Sequence, residues 1–271
     1  MGAPTRRTWL GIGAVLAVFV AIALAVTLPN DEADDVTTGT TTSTASTTSS
    51  SSSTTSEPAS TTSATTAPED HGFGYQALWP FRTVAEAEAW RDAAAPGGHQ
   101  PWHLDAEQTA LAFTTGYLGF DEIDRVVQSD IGATEAHVTV GYDTTEPRPS
   151  AAAVIHLVRI GEGLDAPWEV VGTADELLTL ETPVYAATVA SPVTVGGHIT
   201  GVDESLVVQV RQPSSPAPLG ETGGLPAGGM HSPWETTVSF DGATDPALTI
   251  VVWTGGHYQG VERFAITGVR H

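Results

Sequence analysis

Residues 8–28 carry no charged side chain, and 24 of the 30 positions from Thr37 to Thr66 are serine or threonine. These two stretches leave only the last ~200 residues to build a packed core, enough for one large domain or two small ones. At 1.5 Å per residue, the apolar run is long enough to cover a hydrocarbon layer about 30 Å thick. Arg6 and Arg7 precede it, and Asp31, Glu32, Asp34 and Asp35 follow. That asymmetry predicts a membrane helix with its N-terminus in the cytoplasm and everything after it outside. A cleaved signal peptide is the competing reading, because Ala23-Leu24-Ala25 has the small-x-small form of a cleavage site. The run exceeds the usual ~7–15-residue apolar core of such peptides, which favours a retained anchor.

The Ser/Thr tract has no apolar periodicity, so no core offsets the entropy of ordering it. It reads as a disordered linker with a root-mean-square span of ~30 Å. The expected layout is a cytoplasmic tail at 1–7, a transmembrane signal anchor at 8–28, a Ser/Thr-rich linker at 29–70, and folded regions at 71–182 and 183–271.

Charge and missing residue types narrow the chemistry. Ten basic residues, all arginine, stand against 32 acids, for a net charge of −22. Such a surface repels phosphate backbones, so nucleic acid is not an expected partner. The absence of cysteine removes disulfides and thiol catalysis. The absence of lysine removes the Ser-x-x-Lys nucleophile, the Walker loop and Schiff-base chemistry. Neither Gly-x-Ser-x-Gly nor His-Glu-x-x-His occurs.

In the first folded region, Val84, Ala87, Trp90 and Ala94 recur at helical spacing, and Pro96-Gly97-Gly98 ends that helix. A second helix is predicted from the N-cap Asp105, with Gln108 at the capping-box position. Gly119-Phe120-Asp121 breaks it, and Ile123 to Gln128 reads as one or two further turns. Strands are predicted at 136–142, 151–160, 167–174 and 177–180 from their Val, Ile and Thr content. Helices followed by a strand meander give an α+β domain, with helices on a curved antiparallel sheet. In element order this is similar to the nuclear-transport-factor-like fold.

From Pro183 onward no helical period survives. Short β-rich runs at 188–189, 193–199, 206–211, 234–240, 248–254 and 263–269 predict an all-β immunoglobulin-like sandwich. The change of pattern at Glu181-Thr182-Pro183 predicts that 71–182 and 183–271 fold separately. Ala190-Ser191-Pro192-Val193-Thr194-Val195-Gly196-Gly197, the acidic pair Asp203-Glu204, and Leu206 to Val210 open this region. Pro233 to Phe240 and the glycines Gly255 and Gly260 follow. On these residues the segment resembles the immunoglobulin-like domain of bacterial spore germination proteins. Residues 220–232, GETGGLPAGGMHS, read as a Gly-rich loop and depart from that pattern. The resemblance implies an extracytoplasmic accessory or binding module with no catalytic residues to carry over.

No catalytic, cofactor-binding or metal site is expected, and no cofactor. His99 and His103 are separated by Pro101, so they do not share a helix face. His156 reads as a sheet-face residue, and Asp121, Glu122, Asp124 and Asp130 as a solvated helix face. Trp79, Trp90, Trp102 and Trp168 all fall in the first region. Most would be core, while Trp79 and Trp102, each beside a proline, are the candidate ligand-binding residues. The expected function is a membrane-anchored binding or accessory protein of the bacterial cell envelope, without catalysis. Its partner would be an envelope component or another exported protein. A carboxylate-dependent glycan hydrolase and an extracellular sensor are the alternatives.

Overall fold

The computed structural model describes residues 73–94, 100–163 and 165–271. The expected membrane anchor and linker, and His99, lie outside the described residues. Among those described, no helix is long and apolar enough to cross a membrane.

The fold is mostly β: two four-stranded antiparallel sheets with few helices. Helix α1 spans Val84–Ala94 and α2 spans Ala106–Leu111, the latter continuing as a π-helical turn over Ala112–Tyr117. Asp105 caps α2 as its sequence predicts, accepting the backbone N–H groups of Glu107 and Gln108 at 3.0 and 3.1 Å. Gln108 answers through its side-chain amide, which donates to the other carboxylate oxygen of Asp105. The π-turn has a local cause. The hydroxyls of Thr114 and Thr115 bond the carbonyls of Ala110 and Leu111, both at 2.8 Å. Those are the acceptors an α-helix would offer to the same residues' N–H groups, so the helix widens and Leu118 reaches back to Phe113 instead.

The first sheet is a meander of β1 (Arg125–Ile131), β2 (Glu135–Tyr142), β3 (Ser150–Arg159) and β4 (Trp168–Thr173). The segment read from sequence as helical turns after Ile123 is therefore mostly an edge strand. Val126 and Val127 are β-branched neighbours, and pairing with β2 overrides any short helical period. Asp121, Glu122 and Asp124 accordingly lie on a turn and the approach to β1, not on a helix face. They are exposed, as is Asp130 within β1.

The second sheet runs in the order β6-β5-β7-β8, built from β5 (Val193–Arg211), β6 (Gly220–Val238), β7 (Ala247–Thr254) and β8 (Arg263–Arg270). The Gly-rich stretch 220–232, read as a loop, is the first part of β6, because β5 supplies it with a pairing partner. Residues 177–180 and 188–189 form no strand and make only isolated bridges, Leu178 to Ile199 and Thr188 to Arg270. The register of β5 breaks around Gly201, and the sheet curls on itself there. Val193, Val195 and Ile199 before the break then share a core with Leu206, Val208 and Val210 after it.

Strands β7 and β8 are buried on both faces. Leu248, Ile250, Val252, Ala265 and Val269 face the core of the curled sheet. The alternate residues Ala247, Val251, Phe264 and Ile266 join the core of the first sheet, beside Phe113, Ile123, Ile155 and Leu157. Thr173 ties the two sheets by accepting the Ile266 N–H at 2.9 Å. The expected boundary at 182/183 falls between the sheets, and apolar packing crosses it.

Candidate functional site

The sequence-predicted Trp79 and Trp102 come together. Trp79 lies on a segment that extends the first sheet beyond β4, exchanging backbone bonds with Val170. Trp102 sits in a short 3-10 turn, Pro101–Leu104, whose carbonyl at Trp102 is held by the Thr109 hydroxyl at 2.9 Å. The two indoles stack with centroids 5.3 Å apart and planes 17° from parallel. Both are half-buried.

They are the middle of a longer row. Trp90, on α1, stacks on His103 at 4.8 Å, and His103 stacks on Trp102 at 3.7 Å. Beyond Trp79 comes Tyr117 at 6.2 Å, from the π-turn, and then the Arg211 guanidinium, 5.3 Å from the Tyr117 ring centre. Six side chains from five places in the chain thus form one continuous stack. Each interior ring of the row packs against two neighbours. Trp79 and Trp102 both line an open cleft and are only half-buried, so a ligand can reach them there.

Two open clefts flank Trp79. One, of about 350 Å³, is lined by Trp79, Phe81, Glu86, Trp90, Trp102 and His103 among others. The other, of about 430 Å³, has Trp79, Tyr117, Arg211, Pro213, Ser214 and Pro216 on its walls. A larger concavity of about 630 Å³ at the β5–β6 bend is lined by glycine, valine, proline and alanine together with Glu204. Glu204 there is engaged by the Thr254 hydroxyl.

Electrostatics differ at the two ends of the row. His103 is 4% exposed, and burial brings its pKa down to about 4. It is neutral near pH 7. Its Nε2 meets the Gln100 side-chain oxygen at 3.0 Å, and its Nδ1 has no partner. At the other end Arg211 is 6% exposed. Its guanidinium donates to the Gln209 side chain and to the carbonyls of Tyr117 and Pro216. Its Nε has no partner. Among the described residues it forms no ion pair. This buried guanidinium is held by neutral acceptors with no carboxylate in contact, and an anion in the adjoining cleft would stabilise it.

Glu169, in β4, lies beneath Trp79 and is fully buried. One carboxylate oxygen accepts the Phe81 N–H at 3.1 Å and the other has no partner. Burial pushes its pKa well above the ordinary carboxylate range, against smaller opposing hydrogen bonds from the backbone. Glu169 is sealed from solvent and so out of a substrate's reach. Elsewhere, Glu135, His137 and His156 converge on the face of the first sheet opposite the core. The sequence reading of His156 as a sheet-face residue holds, but it missed these companions.

Tyr117 and Arg211 were likewise missed. Tyr117 falls within the predicted second helix and Arg211 at the end of a predicted strand, and nothing local joins them. Comparison with known proteins found no match among family models, curated proteins or solved structures.

Proposed function

We propose that this chain is a membrane-anchored, extracytoplasmic binding or accessory protein of the bacterial cell envelope, acting without catalysis. The observation that carries the binding role is the aromatic row ending on a buried, unpaired Arg211, with an open cleft on either side of Trp79. Apolar rings beside a desolvated guanidinium suit a ligand that is part apolar and part carboxylate, such as an envelope peptide terminus or an acidic sugar. The placement outside the membrane rests on the sequence: paired arginines, an uncharged span, four acids, then a Ser/Thr tract. We read the helices over the first sheet as a nuclear-transport-factor-like arrangement. The curled second sheet is read as the immunoglobulin-like module that its sequence resembles.

Two measurements test this reading. Trp102→Ala in the purified full-length chain should weaken retention on envelope material by about 1–3 kcal/mol, or roughly 5- to 150-fold. Glu176→Gln, at an exposed acid, should leave retention unchanged at physiological salt. Equal retention by wild type and Trp102→Ala would dismiss the aromatic row as the binding site. Protease added to intact protoplasts should remove the region after residue 70. A chain that stays fully protected would reverse the orientation, and one released into the medium from near Val26 would establish cleavage.

A further inference from the structure

On its outer face the first sheet carries a cluster with no part in the aromatic row. His137 of β2 and His156 of β3 are directly opposite in register, and their rings stack at 4.7 Å with planes only 4° apart. A bulge creates this pairing. Tyr142 faces Ser150 and Gly141 faces Ala151, but the register shifts between Val140 and Gly141, so that Val140 faces Ala153. Counting out without the shift would set His137 opposite Ile155 and leave the two histidines on opposite faces. The inserted residue brings both to the side away from the core, where Val138 and Ile155 are fully buried behind them.

Glu135 lies two residues before His137 and so on the same face. Its carboxylate is 2.7 Å from the His156 Nε2. One ligand atom from each of the three residues lies within 4.8 Å of the others. Tyr75 packs edge-on against His156 at 5.5 Å and limits the ring's freedom. On the next strand, Asp130 is the register partner of His137, an additional carboxylate in the same row.

From this geometry we infer that Glu135, His137 and His156 form a binding site for a divalent transition-metal ion of the zinc type. Two imidazoles and one carboxylate are the donor set such borderline ions take, and three protein ligands leave a fourth position for water or Asp130. Strand placement at i and i+2, with the third ligand directly across, holds the donors on rigid backbone. The net charge of −22 raises the local concentration of cations. A second Glu–His–His neighbourhood, Glu181 with His198 and His231, also stacks its two rings, at 4.2 Å. Its ligand atoms do not converge as the first set does, since among the described residues only Glu135, His137 and His156 satisfy that distance limit. It is the internal control.

The test is zinc binding by the untagged full-length chain, measured by competition with a fluorescent chelator, with thermal unfolding recorded with and without Zn²⁺. The expected result is one equivalent bound through this site and a melting temperature that rises with zinc. His137→Gln or His156→Gln should weaken binding by more than about 100-fold, beyond the 10–100-fold that loss of an outer partner costs. Either variant should also abolish the thermal shift, and far-UV circular dichroism reports whether the sheet is intact. His198→Gln and His231→Gln should bind as wild type does. Absence of a stoichiometric equivalent, its survival in the His137→Gln/His156→Gln double variant, or its loss in the His198→Gln/His231→Gln pair would each overturn the assignment.

Discussion

Phe264→Ala should lower the stability of the region after residue 72 by about 3–5 kcal/mol, and should do so in one cooperative transition. Phe264 belongs to the last strand, yet its side chain is fully buried in the core of the first sheet. It meets Phe120 at 5.3 Å, edge to face, and Phe120 also touches Trp253 at 5.4 Å. Removing the ring empties space that residues from both halves of the chain enclose, so neither half escapes the cost. The same geometry means that a 183–271 fragment would expose Ala247, Val251, Phe264 and Ile266 on one face of β7 and β8. Calorimetry of the full-length chain and the variant decides the point. Two resolved transitions, only one of them moved by the substitution, would show that the halves fold separately, as the change of sequence pattern at 181–183 suggests.

That contrast shows what a local pattern can carry. The strand ALTIVVWT of β7 was legible as a strand, and its continuous apolar stretch Ile250-Val251-Val252-Trp253 is the signature of burial on both faces. Which second face covers it depends on residues more than 70 positions away, and no periodicity encodes that. The first part of β6 was illegible for the opposite reason. Glycine and proline weaken intrinsic strand preference, so GETGGLPAGGMHS is a strand only because β5 lies beside it. The helix capped by Asp105 was legible because a cap is a contact between near neighbours.

The candidate sites follow the same rule. Trp79 and Trp102 stood out because tryptophan beside proline is informative by itself. Their stacking on each other, and the continuation to Tyr117 and Arg211, required the π-turn and the end of β5 to arrive at one place. The histidine pair came closer to being readable. Both strands were evident, and only the bulge at Val140/Gly141 hid that His137 and His156 share a face.

The pH dependence of stability should be set in part by two buried groups that act in opposite directions. His103 is held down to about 4 in the fold, from 6.5, by burial. Its neutral form is favoured in the folded state, so its contribution is fully present above pH ~6.5 and is lost as pH falls toward 4. Glu169 is held well above its ordinary 4.5, also by burial. Its protonated form is favoured in the folded state, so its contribution is fully present below about pH 4.5 and is lost as pH rises. Each group changes stability by at most about 1.4 kcal/mol per pH unit within its window. Where both groups titrate above pH 4.5, the two slopes oppose each other. Single substitutions separate them. His103→Phe keeps an aromatic ring between Trp90 and Trp102 and removes the unpartnered Nδ1. Its stability relative to wild type should rise as pH falls from 6.5 to 4, by on the order of 2 kcal/mol in total. Glu169→Gln keeps an acceptor for the Phe81 N–H and cannot ionise. Its gain should be near zero at pH 4 and grow with pH. Urea unfolding at half-unit intervals from pH 4 to 9 measures both difference curves, and other titrating groups cancel in them. A His103→Phe difference independent of pH would mean that the ring is solvated enough to take up its proton in the fold. A flat Glu169→Gln difference would mean that the carboxyl ionises there as freely as in the unfolded chain.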